Sequence, residues 1–226
     1  MTLEVCCGNL ESVHAAVKGG APRIELCSRL DLDGLTPVWE ELREARTLYP
    51  ALKIHVLIRP REGDFCYTPE EMEQMADEMV QAQELGADGL VIGALTEKGD
   101  VDREAIEALL RVVKPGVALT FHRAFDVCRW PFEALQTIES LGFHRILTSG
   151  QAPSAQEGTD MLRELQRRTT LTILPGGGVN ASNARRILEL SGCRELHASA
   201  STLLPDGRKV TDAKKVADIL SVTLNL

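Results

Sequence analysis

Short apolar runs alternate along this chain with amphipathic stretches of helical period. The first run covers residues 3–7. A helix follows over residues 9–20, with Leu10, Val13, Ala16 and Val17 on one stripe and Gly19-Gly20 as its stop. The second run covers 23–28; turn residues over 31–37 then lead to a helix that begins at Trp39 and is ended by Pro50. A third run, 53–61, precedes a long helix opened by Thr68-Pro69-Glu70-Glu71, with a threonine cap, proline at the first position and a glutamate three residues after the cap. That helix runs to Leu85. Further strands are predicted over 89–95, 118–126, 145–150, 171–177 and 195–201. The helices between and after them cover 101–116, 130–142, 154–169 (weakened by Gly158), 184–192 and 211–224, with the Asn180 or Ser182 region capping the one at 184.

Eight strands in strict alternation with eight helices argue for parallel strands joined by right-handed crossovers. Eight such units in 226 residues have the size of a (β/α)8 TIM barrel in the α/β class. An open doubly wound sheet is the alternative. No linker, low-complexity tract or shift in composition interrupts residues 1–226, so one domain is expected.

In a strand, side chains alternate between faces. Glu4 and Cys6 therefore share a face, as do Glu25 and Cys27. If those two strands lie side by side in register, that face carries two thiols above two carboxylates. The same parity holds His55, Arg59, Thr120, His122, His197 and Ser199, while the opposite class is aliphatic and belongs under the helices. Barrel interiors are ordinarily filled by branched apolar residues, and buried charges need partners. Barrel sites sit at the C-terminal ends of the strands, where Arg123, Asp126, Ser149 and Gly176-Gly177-Gly178 also gather.

Composition narrows the possibilities. A net charge of −8 offers no basic footprint for nucleic acid or an anionic membrane surface. The Met1-Thr2-Leu3 start lacks the features of a secretory signal, and no apolar run reaches the roughly 18 residues of a membrane span. A cytoplasmic location is expected. Of 6 cysteines, none forms a CxxC pair, so free thiols are expected. Cys7 has the outward parity and Cys193 follows a helix, so both read as packing; Cys66 and Cys128 fall in loops on the functional rim. His14 and His144 read as surface residues.

Three chemistries fit the shared face. Cys6 and Cys27 would bind a soft ion such as Cu(I), or close a strained disulfide under oxidising conditions. Gly176, Gly177 and Gly178, running into a helix start, would hold a phosphate or carboxylate, with Arg59, Arg123, Ser149, His197 and Ser199 around them. Glu4, Glu25, His55 and His122 would serve as acids and bases on a small molecule, as in a lyase or isomerase. No organic cofactor is expected.

The segments LEVCC, RIELC, DGLTP, HVLIRPREGDFCY, LTFHRAFD, RILTSG, PGGGV and ELHASA resemble the CutC copper-homeostasis proteins, with likeness from Leu3 to about Ser201. The resemblance implies a (β/α)8 barrel, a cytoplasmic protein of copper homeostasis and a homo-oligomer, commonly a dimer. It also implies Cu(I) binding by paired cysteines, which match Cys6 and Cys27. The residues leave two readings open: a copper-binding protein, or a barrel enzyme acting on a small phosphorylated or carboxylated metabolite.

Overall fold

The structure is a computed structural model that describes residues 1–205 and 207–223. Strands β1 (Thr2–Cys7), β2 (Arg23–Leu26), β3 (Lys53–Leu57), β4 (Gly89–Ile92), β5 (Ala118–Phe121), β6 (Arg145–Thr148), β7 (Thr172–Pro175) and β8 (Glu195–Ala198) form one parallel sheet. Each pairs with its chain neighbour, β1 also pairs with β8, and β7 lies against β8 to bring the ring round. Helices α1 (Leu10–Lys18), α2 (Trp39–Leu48), α3 (Pro69–Glu84), α4 (Arg103–Leu110), α5 (Pro131–Ser140), α6 (Thr159–Arg168), α7 (Ala184–Ser191) and α8 (Ala213–Thr223) alternate with them. This is a (β/α)8 barrel.

Local signals fix several helix starts. Asn9 accepts from Ser12 N at 2.8 Å, Asp102 from Ala105 N at 3.0 Å, and Thr68 and Glu71 form a reciprocal capping box. Outward-facing Val5, Ile24, Leu26, Ile54, Val56, Leu90, Ile92, Phe121, Ile146, Ile173 and Leu196 are buried in one continuous core beneath the helices, as their parity requires.

Several boundaries differ from those read in the sequence. Most strands end earlier: β5 stops at Phe121, and Arg123–Val127 curls into a 3-10 turn. α6 starts at Thr159 rather than Ser154, because Gly158 packs on the loop after β6, where a Cβ would stand 1.9 Å from Ser149 O. A hairpin of β9 (Ser201–Leu203) and β10 (Lys209–Thr211) follows β8, where a strand to 201 and a helix from 211 are read from sequence. Its turn signal, Pro205 with Gly207, lay in a short polar stretch. Leu224, at the end of the last expected helix, lies outside the described residues.

The register also differs. Glu4 pairs with Arg23, not Glu25, and Cys6 pairs with Glu25. The strands are staggered by two residues, as closure of a tilted barrel demands. Carboxylate therefore stands beside guanidinium, and thiol beside carboxylate.

β4 makes this polar lumen possible. A Cβ on Gly89 would meet His55 Cδ2 at 2.6 Å, and one on Gly93, just past the strand, would meet His122 Nδ1 at 2.7 Å. The inward positions of this one segment thus hold no bulk where the imidazoles lie across the barrel. Gly89→Ala is expected to lower stability by about 1–3 kcal/mol. The same change in a His55→Ala background should cost less, which a double-mutant cycle of denaturant unfolding would measure.

Candidate functional site

The lumen is built in tiers, beginning with Glu4, which is wholly buried. Arg23 Nε donates to its Oε2 at 2.6 Å, His197 Nδ1 lies 3.0 Å from Oε1, and His55 Nδ1 lies 3.2 Å from Oε2. Burial opposes its charge. The contacts with His197 and His55 and the charge of Arg23 outweigh that and hold the carboxyl well below the usual carboxylate range. Arg23 also donates to Glu195, which accepts from Arg145 Nε at 3.0 Å. This chain of alternating charges seals the end of the barrel from which the strands start.

The next tier holds the sulfurs. Cys6 Sγ lies 3.6 Å from Cys27 Sγ and 4.0 Å from Glu25 Oε1, and all three residues are buried. The donor atoms of Cys6, Glu25 and Cys27 lie within 4.8 Å of one another, as do those of Glu4, Glu25 and His197. Contact with Cys27, then burial, raises the Cys6 thiol well above its ordinary range. Burial, followed by the nearby Glu4 charge, pushes Glu25 up to about 7, against the pull of His197 and Arg23. His197 loses to burial but gains more from Cys6, Glu4 and Glu25, and stays protonated above its ordinary value.

Above the sulfurs opens a cavity of about 500 Å³, lined by Cys6, Glu25, Leu57, Arg59, Phe65, His122, Arg123, Asp126, Leu147, Gly177, Gly178, His197 and Ser199 among others. Arg59 donates to the carbonyls of Leu32, Gly34 and Gly63 at 2.9–3.1 Å and lies over the Phe65 ring at 5.0 Å. Arg123 Nε donates to Asp126 Oδ2 at 2.7 Å. Its guanidinium stands 3.7 Å from where a Cβ on Gly177 would be, and the φ of +100° at Gly177 explains the glycine there. Asp126 ties that wall together, accepting from Ser149 N at 2.9 Å, from Gln151 N at 3.2 Å, and from the Thr148 hydroxyl.

Of the residues singled out in the sequence, Cys6, Glu25, Arg59, His122, Arg123, Gly177, Gly178, His197 and Ser199 line this one cavity, and Cys27 adjoins Cys6. Glu4 and His55 sit deeper, beneath its lining. Ser149 is fully buried and gives its hydroxyl to Ala152 O at 2.6 Å, while Gly176 is enclosed against Leu147 and His197. Cys7 and Cys193 are buried in the core beneath the helices, and His14 and His144 are exposed. Sequence reasoning missed Arg23, Arg145 and Phe65. The inward parity of Arg23 and Arg145 was a usable signal; the loop position of Phe65 gave none.

Glu25 supplies a pH test. Its folded-state pKa lies above the unfolded value, so its contribution to stability is full below about pH 4.5 and is lost as pH rises through about 7. Between pH 5 and 8 the wild type is expected to lose about 2–3 kcal/mol more than Glu25→Gln, whose amide does not titrate. Chemical denaturation at the two pH values would measure the difference.

Comparisons with known proteins agree with this geometry. The model of the CutC family matches residues 1–202. A CutC family protein of Bacteroides fragilis is 41% identical across 99% of this chain and 98% of its own length. A human protein named copper homeostasis protein cutC homolog is 44% identical across 92% of this chain and 76% of its own length. A CutC crystal structure from Streptococcus agalactiae superposes with a TM-score of 0.84 at 33% identity, covering 88% of this chain and 98% of that one. Phosphoribosylanthranilate isomerase from Thermotoga maritima shares the barrel alone, at a TM-score of 0.66 and 15% identity. By its matched length and its relatives, this chain belongs to the CutC family.

Proposed function

We propose that this protein binds Cu(I) as cargo through Cys6 and Cys27, with Glu25 beside them, and serves copper homeostasis. The 3.6 Å separation of the two sulfurs carries the reading. Side chains from neighbouring strands meet at the inner end of a cavity open to solvent, and thiolates favour Cu(I) over hard cations. The human relative's name points the same way. The resemblance adds a cytoplasmic location and a homodimer to this proposal.

Because the Cys6 thiol is held protonated, copper must displace its proton, and affinity should fall as the solution is acidified. Reduced protein titrated with Cu(I) against a competing chelator is expected to take one ion per chain. Cys6→Ser/Cys27→Ser should weaken binding more than about tenfold, or about 1.4 kcal/mol. Cys7→Ser should change nothing. A double variant that binds as the wild type does discards the proposal.

A second reading is favoured by the size of the cavity. About 500 Å³ falls within the range of small-molecule pockets, whereas a lone ion needs no such space. Arg123, beside Gly177, suits a phosphate or carboxylate there, on a ligand that a lyase or isomerase would take. Inorganic phosphate and small carboxylates are expected to raise the melting temperature; about 2.7 kcal/mol of stabilisation accrues at a hundredfold excess over Kd. Arg123→Ala should abolish the effect, and a panel that leaves the melting temperature unchanged rejects this reading.

A further inference from the structure

The wall of the cavity formed by His122, Phe65 and Arg59 carries two buried ring and guanidinium nitrogens without a hydrogen-bonded acceptor. His122 Nδ1 accepts from Ala124 N at 3.2 Å, so that nitrogen carries no proton. In a neutral ring the proton must then sit on Nε2. His122 Nε2 is buried and has no hydrogen-bond partner among the described residues, and the same holds for Arg59 Nε. A buried donor left in this state is destabilising. The pattern marks a place where something with acceptor oxygens belongs.

The donor is also held still. The His122 ring packs at 4.9 Å from the Phe65 ring and at 5.9 Å from the Phe121 ring. On its other side it fills the space that a Cβ on Gly93 would take, 2.7 Å from Cε1 and Nδ1. Turning the ring over would break the bond from Ala124 N. Arg59 is anchored by three backbone carbonyls and lies over the Phe65 ring. Burial, then the charge of Arg59, pushes His122 down to about 3, so the ring is neutral at physiological pH.

We infer that His122 Nε2–H and Arg59 Nε–H form a second polar subsite of the cavity, which takes a carbonyl or carboxylate oxygen of a small ligand whose anionic end lies at Arg123 and Gly177. The inference rests on the reading of the cavity as a small-molecule site. His122 and Arg123 are adjacent in the chain, so both ends are presented from one turn after β5. The ligand class is therefore a short compound with two acceptor groups, a 2-oxo acid or a dicarboxylate, rather than one with a single anionic group. A neutral imidazole with a fixed proton suits this class, because it can donate to the oxygen of a carbonyl or of a carboxylate.

The test uses the intact protein, labelled with 15N and titrated with inorganic phosphate, pyruvate and malonate. Long-range 1H–15N spectra of the wild type should show His122 as the neutral Nε2–H form before any ligand is added. Pyruvate and malonate are expected to move the His122 Nε2 signal together with the Gly177 and Gly178 amides, and phosphate to move the glycine amides alone. His122→Asn keeps an acceptor for Ala124 N–H but has no donor at the Nε2 position, and should weaken pyruvate and malonate at least tenfold while leaving phosphate unchanged. His122→Gln, whose amide reaches towards the Nε2 position, should restore part of the loss. A His122 ring protonated at Nδ1, or a His122 signal that stays fixed while the glycine amides move with every compound, overturns the subsite and leaves the anion site standing. If no compound moves either set of signals, both fail.

Discussion

Glu4 is a fully enclosed carboxylate, and a charge in that position is tolerable only while its oxygens remain occupied. Arg23 holds Oε2, His197 holds Oε1, and His55 closes on Oε2 from β3. These partners come from strands on both sides of β1, so the pairing fixes the order and stagger of the sheet around it. The same contacts decide what lies above. Glu25 Oε2 has no partner among the described residues, and burial, followed by the charge of Glu4, pushes that carboxyl towards its neutral form against the pull of the His197 cation.

The barrel thus divides along its axis. Its lower part is a closed ion-pair chain from Glu4 through Arg23 and Glu195 to Arg145. Its upper part keeps polar groups with unmet hydrogen-bonding capacity, among them Glu25 Oε2, Arg59 Nε and His122 Nε2. A protein using polar residues only to hold its barrel together would satisfy them all, since each orphan is destabilising. Glu25, Arg59 and His122, each with a buried polar atom that has no partner among the described residues, line one cavity, which supports reading it as a binding site.

Soft and hard donors meet here. Two sulfurs at the inner end suit a thiophilic metal, while guanidinium, imidazole and backbone amides nearer the mouth suit oxygen anions. Glu25 borders both and lies within reach of Cys6 and of the cavity.

Much of this was legible in the chain before any coordinates. Period-two alternation is a local property, so the sorting of Glu4, Cys6, Glu25, Cys27, His55 and His197 inward and of Val5, Leu26, Ile54 and Leu196 outward follows from residue order alone. The caps at Thr68 and Asp102 are equally local. What the order of residues could not specify was the stagger between strands, because that depends on closing the whole ring. Stagger put Arg23 rather than Glu25 beside Glu4, and Glu25 beside Cys6. Nor could it reveal that Arg59 gives three of its donors to loop carbonyls, that Phe65 returns from a loop to pack on His122, or that Ala124 N–H fixes the tautomer of that ring. Those outcomes turn on which atoms meet once distant segments are packed, and alternation along one strand carries no information about them.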